Sequence, residues 1–207
     1  MNSISLKKAV LAVILIAGFA LSLYFIFDKT PRYFVFNKES YGDYFWSRAN
    51  WLFVHVVCGI LALVIGPFQF VPAIRNKYLH LHRWMGRTYL TSTLIGGIAG
   101  FYMASTSHIG YAYQFGLTGL ALTWIATGTM AYISIRNLNI TQHREWMIRS
   151  YVVTLGFTVF RLLDELLTPI ITNLPERFGL MSWACWTIPL VIAEICIQAG
   201  KIKVVSK

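Results

Sequence analysis

Long apolar runs separated by short polar clusters dominate the chain. Six runs, at about 8–27, 49–71, 87–106, 112–135, 145–167 and 179–200, approach the length of a membrane-crossing helix. A helix rising about 1.5 Å per residue needs about 20 apolar residues to cross a hydrocarbon core of roughly 30 Å. The pattern therefore predicts an all-α fold: a polytopic membrane helical bundle of six transmembrane helices, forming one domain over residues 1–207. The first run, "AVLAVILIAGFALSLYFIF", follows Lys7 and Lys8 as a signal peptide would. It is longer than a usual signal core and lacks a small-x-small cleavage site, so it reads as a retained span.

Composition agrees with this reading. Hydrophobic residues make up 57% of the chain and charged ones only 13%, which excludes an ordinary soluble domain. The net charge of +10 gathers in no contiguous basic segment of the kind that binds nucleic acid. It is better explained by membrane orientation. Assigning loops to alternate sides puts Arg75, Arg83, Arg87, Arg136, Arg144 and Arg149 with both chain ends, on a side whose only acid is Glu145. The other side mixes bases such as Lys29, Arg48 and Arg161 with acids such as Asp28, Asp164 and Glu165. The positive-inside rule then places both termini in the cytoplasm. Cys58, Cys185 and Cys196 all lie in apolar runs without ligand spacing, and read as small buried hydrophobes.

Polar residues inside the runs carry the candidate chemistry, because an ionisable group in lipid is costly unless it faces the bundle interior. In "TQHREWMIRSYVVTLGFTVFRLLDE", His143, Met147, Ser150, Thr154, Phe157 and Arg161 fall on one stripe of a 3.6-residue helix. The two ends of that stripe lie roughly 27 Å apart, at opposite membrane boundaries. In the second run His55, Gly59, Ala62, Gly66 and Gln69 share a face, and His55 lies inside the outer boundary, where it needs a partner or a ligand. Glu194 is the one carboxylate well inside a span, with Arg87, Arg149 and His143 as candidate partners.

At the start of the third run, in "YLHLHRWMGRTYL", His82 shares the face of Gly86, Tyr89, Thr93, Gly97 and Gly100, whereas His80 points about 200° away. His82 and His143 thus sit at the same end of two parallel helices. Two inward imidazoles at equal depth are how helical bundles clamp a b-type haem, with Arg83, Arg87 and Arg149 placed for its propionates or for lipid phosphate. His108, in the outer connection, would make a second axial pair with His55 if the chain bends there. The candidate metal ligands are accordingly His82 and His143, to haem iron.

The ordered motifs "HVVCGILALVIGPFQF", "HLHRWMGRTYL" and "AYISIRNLNITQHREWMIRSY", with Arg161 beyond them, resemble the bacterial membrane family of domain of unknown function 2306, over about residues 50–200. The resemblance implies a polytopic bundle in the bacterial cytoplasmic (inner) membrane. Its signature positions are His55, Gly66, Gln69, Arg75, His82, Arg83, Gly86, Arg87, His143, Trp146, Met147, Arg149 and Arg161, and it implies no reaction. The architecture is also similar to diheme b-type cytochromes, from which the chain departs by offering one inner histidine pair.

Two function classes follow. One is a haem b electron-transfer protein working with a quinone or a redox partner protein. The other is a small transporter or proton-coupled carrier, with His55, Gln69, Glu194 and Arg161 as a polar pathway; an accessory membrane subunit is a third expectation. Covalent catalysis is disfavoured, since no serine or cysteine has a base beside it and no phosphate-binding glycine loop is present.

Overall fold

The computed structural model describes residues 3–205, with side chains over 16–199 and at Lys201. Lys7, Lys8, Lys203 and Lys207, which enter the orientation count, lie outside the described side chains, as does the first half of the expected span at 8–27. The described chain is helical throughout: α1 (Ser3–Lys29), α2 (Lys38–Trp46), α3 (Ala49–Ile65), α4 (Pro72–Lys77), α5 (Leu79–Ser105), α6 (Tyr111–Arg136), α7 (Ile140–Thr154), α8 (Gly156–Leu167) and α9 (Leu174–Val205). Four stretches are long and apolar enough to cross a membrane: Ala49–Phe70, Tyr111–Arg136, Ile140–Leu167 and Leu174–Ala199. At 27 residues α5 has the length, but the charged first turns and the Ser, Thr and Gly of its packed face dilute its apolar character.

Two expected spans are not uniform helices. The stretch 49–71 ends in a 3-10 turn, Gly66–Phe70, because Pro67 has no N–H to donate to the Leu63 carbonyl. The Tyr151 hydroxyl reaches that carbonyl instead, at 3.4 Å. The stretch 145–167 breaks at Leu155, where Thr154 Oγ1 donates back to the Ser150 carbonyl at 2.9 Å and Gly156 follows. Hydroxyl back-bonding of this kind bends helices.

Helix α6 is the hub, packing against α5, α7 and α9, while α3 packs on α5, and α1 on α3 and α8. Close approach depends on glycines. A Cβ at Gly96 would come within 2.7 Å of Cys58 Cβ, and one at Gly97 within 2.5 Å of Ile125 Cγ1. At Gly116 it would come within 2.9 Å of the Ser182 carbonyl carbon. Helix α1 is pinned to α8 by the Ser22 and Thr158 hydroxyls, 2.8 Å apart, with Phe25 fully buried beside them.

The segment 28–48 folds back over one end of the bundle. Tyr41 donates to the Tyr33 carbonyl at 2.7 Å, and both rings are buried. Arg48 is buried as well, donating to the carbonyls of Tyr44 at 2.9 Å and Thr106 at 3.0 Å. One guanidinium thereby ties the segment to the C-terminal end of α5, where helical carbonyls lack partners.

Gly116→Ala should lower the thermal unfolding midpoint of the detergent-purified protein by the equivalent of about 1–3 kcal/mol, because the methyl meets the Ser182 Oγ, Cβ and backbone carbon together, and only the hydroxyl can rotate away. Gly59→Ala, with nothing within 4 Å of the added atom, should leave the midpoint unchanged.

Candidate functional site

Helix boundaries and glycine contacts open a chamber of about 250 Å³ under the folded segment. His55 enters it from α3, where Gly100 on α5 leaves room: a Cβ there would lie 2.8 Å from the imidazole. His55 Nδ1 is 2.8 Å from the Gly96 carbonyl. A carbonyl only accepts, so Nδ1 carries the proton and Nε2 of the neutral ring is left as an acceptor. Arg161 enters from α8; its guanidinium lies 5.7 Å from the Phe157 ring centre and has no carboxylate within 4 Å among the described residues. Lys29 at the rim is already paired, with Asp28 at 2.6 Å and Glu165 at 4.0 Å. The remaining walls are aromatic and aliphatic, with Tyr44, Tyr113, Trp124 and Phe160 prominent. The chamber thus offers an apolar, ring-lined space, the His55 acceptor and, among the described residues, a cation without a carboxylate partner.

Its floor is a buried polar network. Trp124 Nε1 donates to Thr154 Oγ1 at 2.8 Å, and the Tyr89 hydroxyl lies 2.9 Å from Ser150 Oγ and 3.0 Å from Thr154 Oγ1. All four side chains are buried, so α5, α6 and α7 are joined through groups that have no water to turn to.

Beyond the floor lies the end that carries the basic loops. The Gln69 carboxamide lies across Gly86 there: a Cβ would sit 3.2 Å from Oε1. Gln69 is buried, and its Nε2 has no hydrogen-bond partner. One turn before Gly86, outside the expected span 87–106, His82 has its Nδ1 enclosed and equally unpartnered. Burial holds the His82 imidazole below its ordinary pKa, and the nearby His143, Arg75 and Arg83 push it further in the same direction. His143 Nδ1 is bonded to the Ala131 carbonyl at 2.9 Å, which leaves its Nε2 free. Arg83 and Arg87 are exposed beside this cluster.

Glu194 is placed elsewhere. Arg149 holds it with two bonds, Nε at 2.8 Å and a terminal nitrogen at 2.7 Å, and the carboxylate side chain is 41% exposed. Arg149 also stacks over Trp146, at 4.7 Å, and reaches Glu145 at 3.7 Å; Lys201 reaches Glu145 at 2.8 Å. This is a partly exposed clasp between α7 and α9.

Of the residues singled out from sequence, His55 and Arg161 share the chamber, and Gln69 joins His82, His143 and Arg83 at the opposite end. His108 is exposed in the α5–α6 connection, while the His55 ring is bonded inward to Gly96, so the structure does not pair them. Three contributors carried no sequence signal of their own: the carbonyls of Gly96 and Ala131, which fix the two histidine rings, and Tyr113, which reads as an ordinary interfacial aromatic. Among the described residues no three His, Cys, Asp or Glu side chains gather as a metal-holding group.

No curated protein and no solved structure matches the chain. A family model does, over residues 52–197, which takes in most of α3, every helix from α4 to α8 and most of α9. The chain therefore belongs to the family described as predicted membrane protein (DUF2306).

Proposed function

We propose that this integral membrane protein binds a small aromatic acid in the chamber between α1, α3, α5, α6 and α8. The observation that carries the reading is the convergence of His55 and an unpaired Arg161 on one ring-lined cavity of about 250 Å³. An unpaired guanidinium against apolar walls favours an anion, and a carboxylate matches its planar fork. The His55 Nε2 acceptor favours a hydroxyl donor. The surrounding rings favour a flat aromatic body, since offset and edge-to-face pairs add to simple burial. Drug-sized ligands occupy sites of about 300 Å³ and upward, so the occupant is a small one, with a single ring. The segment 28–48 forms the cover, and Arg48 anchors it.

For placement in the membrane we keep six spans, with the chamber in the outer half, the basic end and both termini in the cytoplasm, and a bacterial inner membrane. Four long apolar helices and the clustering of unpaired arginines at one end support this. A second reading keeps b-type haem, and with it electron transfer to a quinone or redox partner, at His82 and His143. It is supported by the Nδ1 bond of His143, which leaves Nε2 as an axial ligand would have it.

Calorimetric titration of the purified protein with 4-hydroxybenzoate should give saturable binding, weakened on the order of tenfold or more by Arg161→Gln. Benzoate should lose affinity with Arg161→Gln but not with His55→Phe, and phenol the reverse. Equal binding of all three probes by wild type and both variants would overturn the chamber reading. The haem reading is tested by one reduced-minus-oxidised absorption spectrum, which should show a b-type band lost in His143→Ala; colourless protein from haem-replete cells ends it. For the orientation, alkaline phosphatase fused after Lys207 should be inactive and a fluorescent protein fused there should fluoresce.

A further inference from the structure

We infer that the basic end of the bundle holds a seat for a phosphate-type oxyanion, built from Gln69, His82 and the guanidinium groups of Arg75 and Arg83. This site is separate from the chamber, which lies on the far side of the Tyr89 network. Gln69 is only 6% exposed, yet its Nε2 donates to nothing, and His82 Nδ1 is enclosed in the same condition. The Gln69 carboxamide lies over Gly86, and His82 is one turn away on the same face of α5. A buried polar group left unpaired costs about 1–3 kcal/mol, so two of them on adjacent turns point to an absent partner.

That partner has to accept hydrogen bonds. The carboxamide nitrogen and both guanidinium groups are donors only, and a neutral imidazole adds one more donor. Helices α5 and α7 both begin at this end with their positive dipole ends, and the first turn of α5, which no side chain caps, adds unsatisfied N–H groups. A cation does not suit the place. The carboxylates at this end, Glu145 and Glu194, are already held by Arg149 and Lys201, and Arg83 and Arg87 have no carboxylate within 4 Å among the described residues. A tetrahedral oxyanion has acceptors enough to meet donors from the 3-10 turn that carries Gln69, from α4 and from α5 together. The phosphodiester of an anionic lipid headgroup and a soluble phosphate offer the same chemistry. The seat and the haem reading compete for His82.

The test uses the full chain in phosphatidylcholine nanodiscs. In one arm inorganic phosphate is titrated against chloride of equal ionic strength; in the other, phosphatidylglycerol replaces part of the lipid. Thermal unfolding is read in both arms, and native mass spectrometry counts retained phosphatidylglycerol. The unfolding midpoint should rise in at least one arm, and the arm that responds names the source of the oxyanion. Gln69→Leu should raise the midpoint without either probe, because it removes an unsatisfied donor, and should weaken the response on the order of tenfold. Arg83→Gln, at an exposed position, should weaken the response without changing the probe-free midpoint, and it decides the matter if Gln69→Leu does not fold. No rise in either arm, an undiminished response in both variants, or a b-type haem spectrum lost in His82→Ala would overturn the inference.

Discussion

A bundle in hydrocarbon has no water with which to satisfy a stray hydroxyl or indole N–H, and this constraint shapes the centre of the molecule. Tyr89, Trp124, Ser150 and Thr154 answer it by satisfying one another. The arrangement binds α5, α6 and α7 at one level and fixes their rotation about their own axes. Because Thr154 also donates back to its own helix, the same network places the break at Leu155. That break gives α8 its own direction and sets Arg161 against the chamber. The floor of the chamber and the position of its cation therefore have a common cause.

Satisfying polar groups inside lipid also explains why so much of the site relies on backbone. Two inward histidines are held through Nδ1 by a carbonyl of a neighbouring helix, His55 by Gly96 and His143 by Ala131. A helical carbonyl already accepts one bond, and its second lone pair serves the ring. The approach needs a small residue at the contact, and Gly96, Gly100 and Ala131 supply it. Fixing one nitrogen defines the other, so ring orientation and hydrogen-bond character are set before any ligand arrives.

The features legible in the sequence were those with a period. Apolar run lengths gave the helices, and the 100° spacing gave the buried faces: Tyr89, Thr93 and Gly97 on α5 and Met147, Ser150 and Thr154 on α7 are all buried. Depth in a run singled out His55, and the stripe singled out Arg161. What escaped was non-periodic. Arg48 looks like any interfacial base, and only the fold shows it capping α5 from 55 to 58 residues away. Glu194 drew notice for its depth, but α9 runs on to Val205 and the partly exposed carboxylate is held by Arg149. Backbone carbonyls have no letter in the sequence, so the partners of His55 and His143 could not be read there.

The distribution of satisfied and unsatisfied groups separates architecture from binding. Arg48, Arg149 and Arg177 are engaged by carbonyls or carboxylates, and each joins elements distant in sequence. Among the described residues Arg161, Arg83 and Arg87 have no carboxylate within 4 Å, and Gln69 Nε2 and His82 Nδ1 have no hydrogen-bond partner. A chain that satisfies its midplane hydroxyls so thoroughly has no structural need to leave donors open at its two ends. Gln69 could be leucine and Arg161 glutamine with less desolvation and no lost internal bond. On the proposed reading something outside the chain completes these donors, one partner on each side of the Tyr89 network.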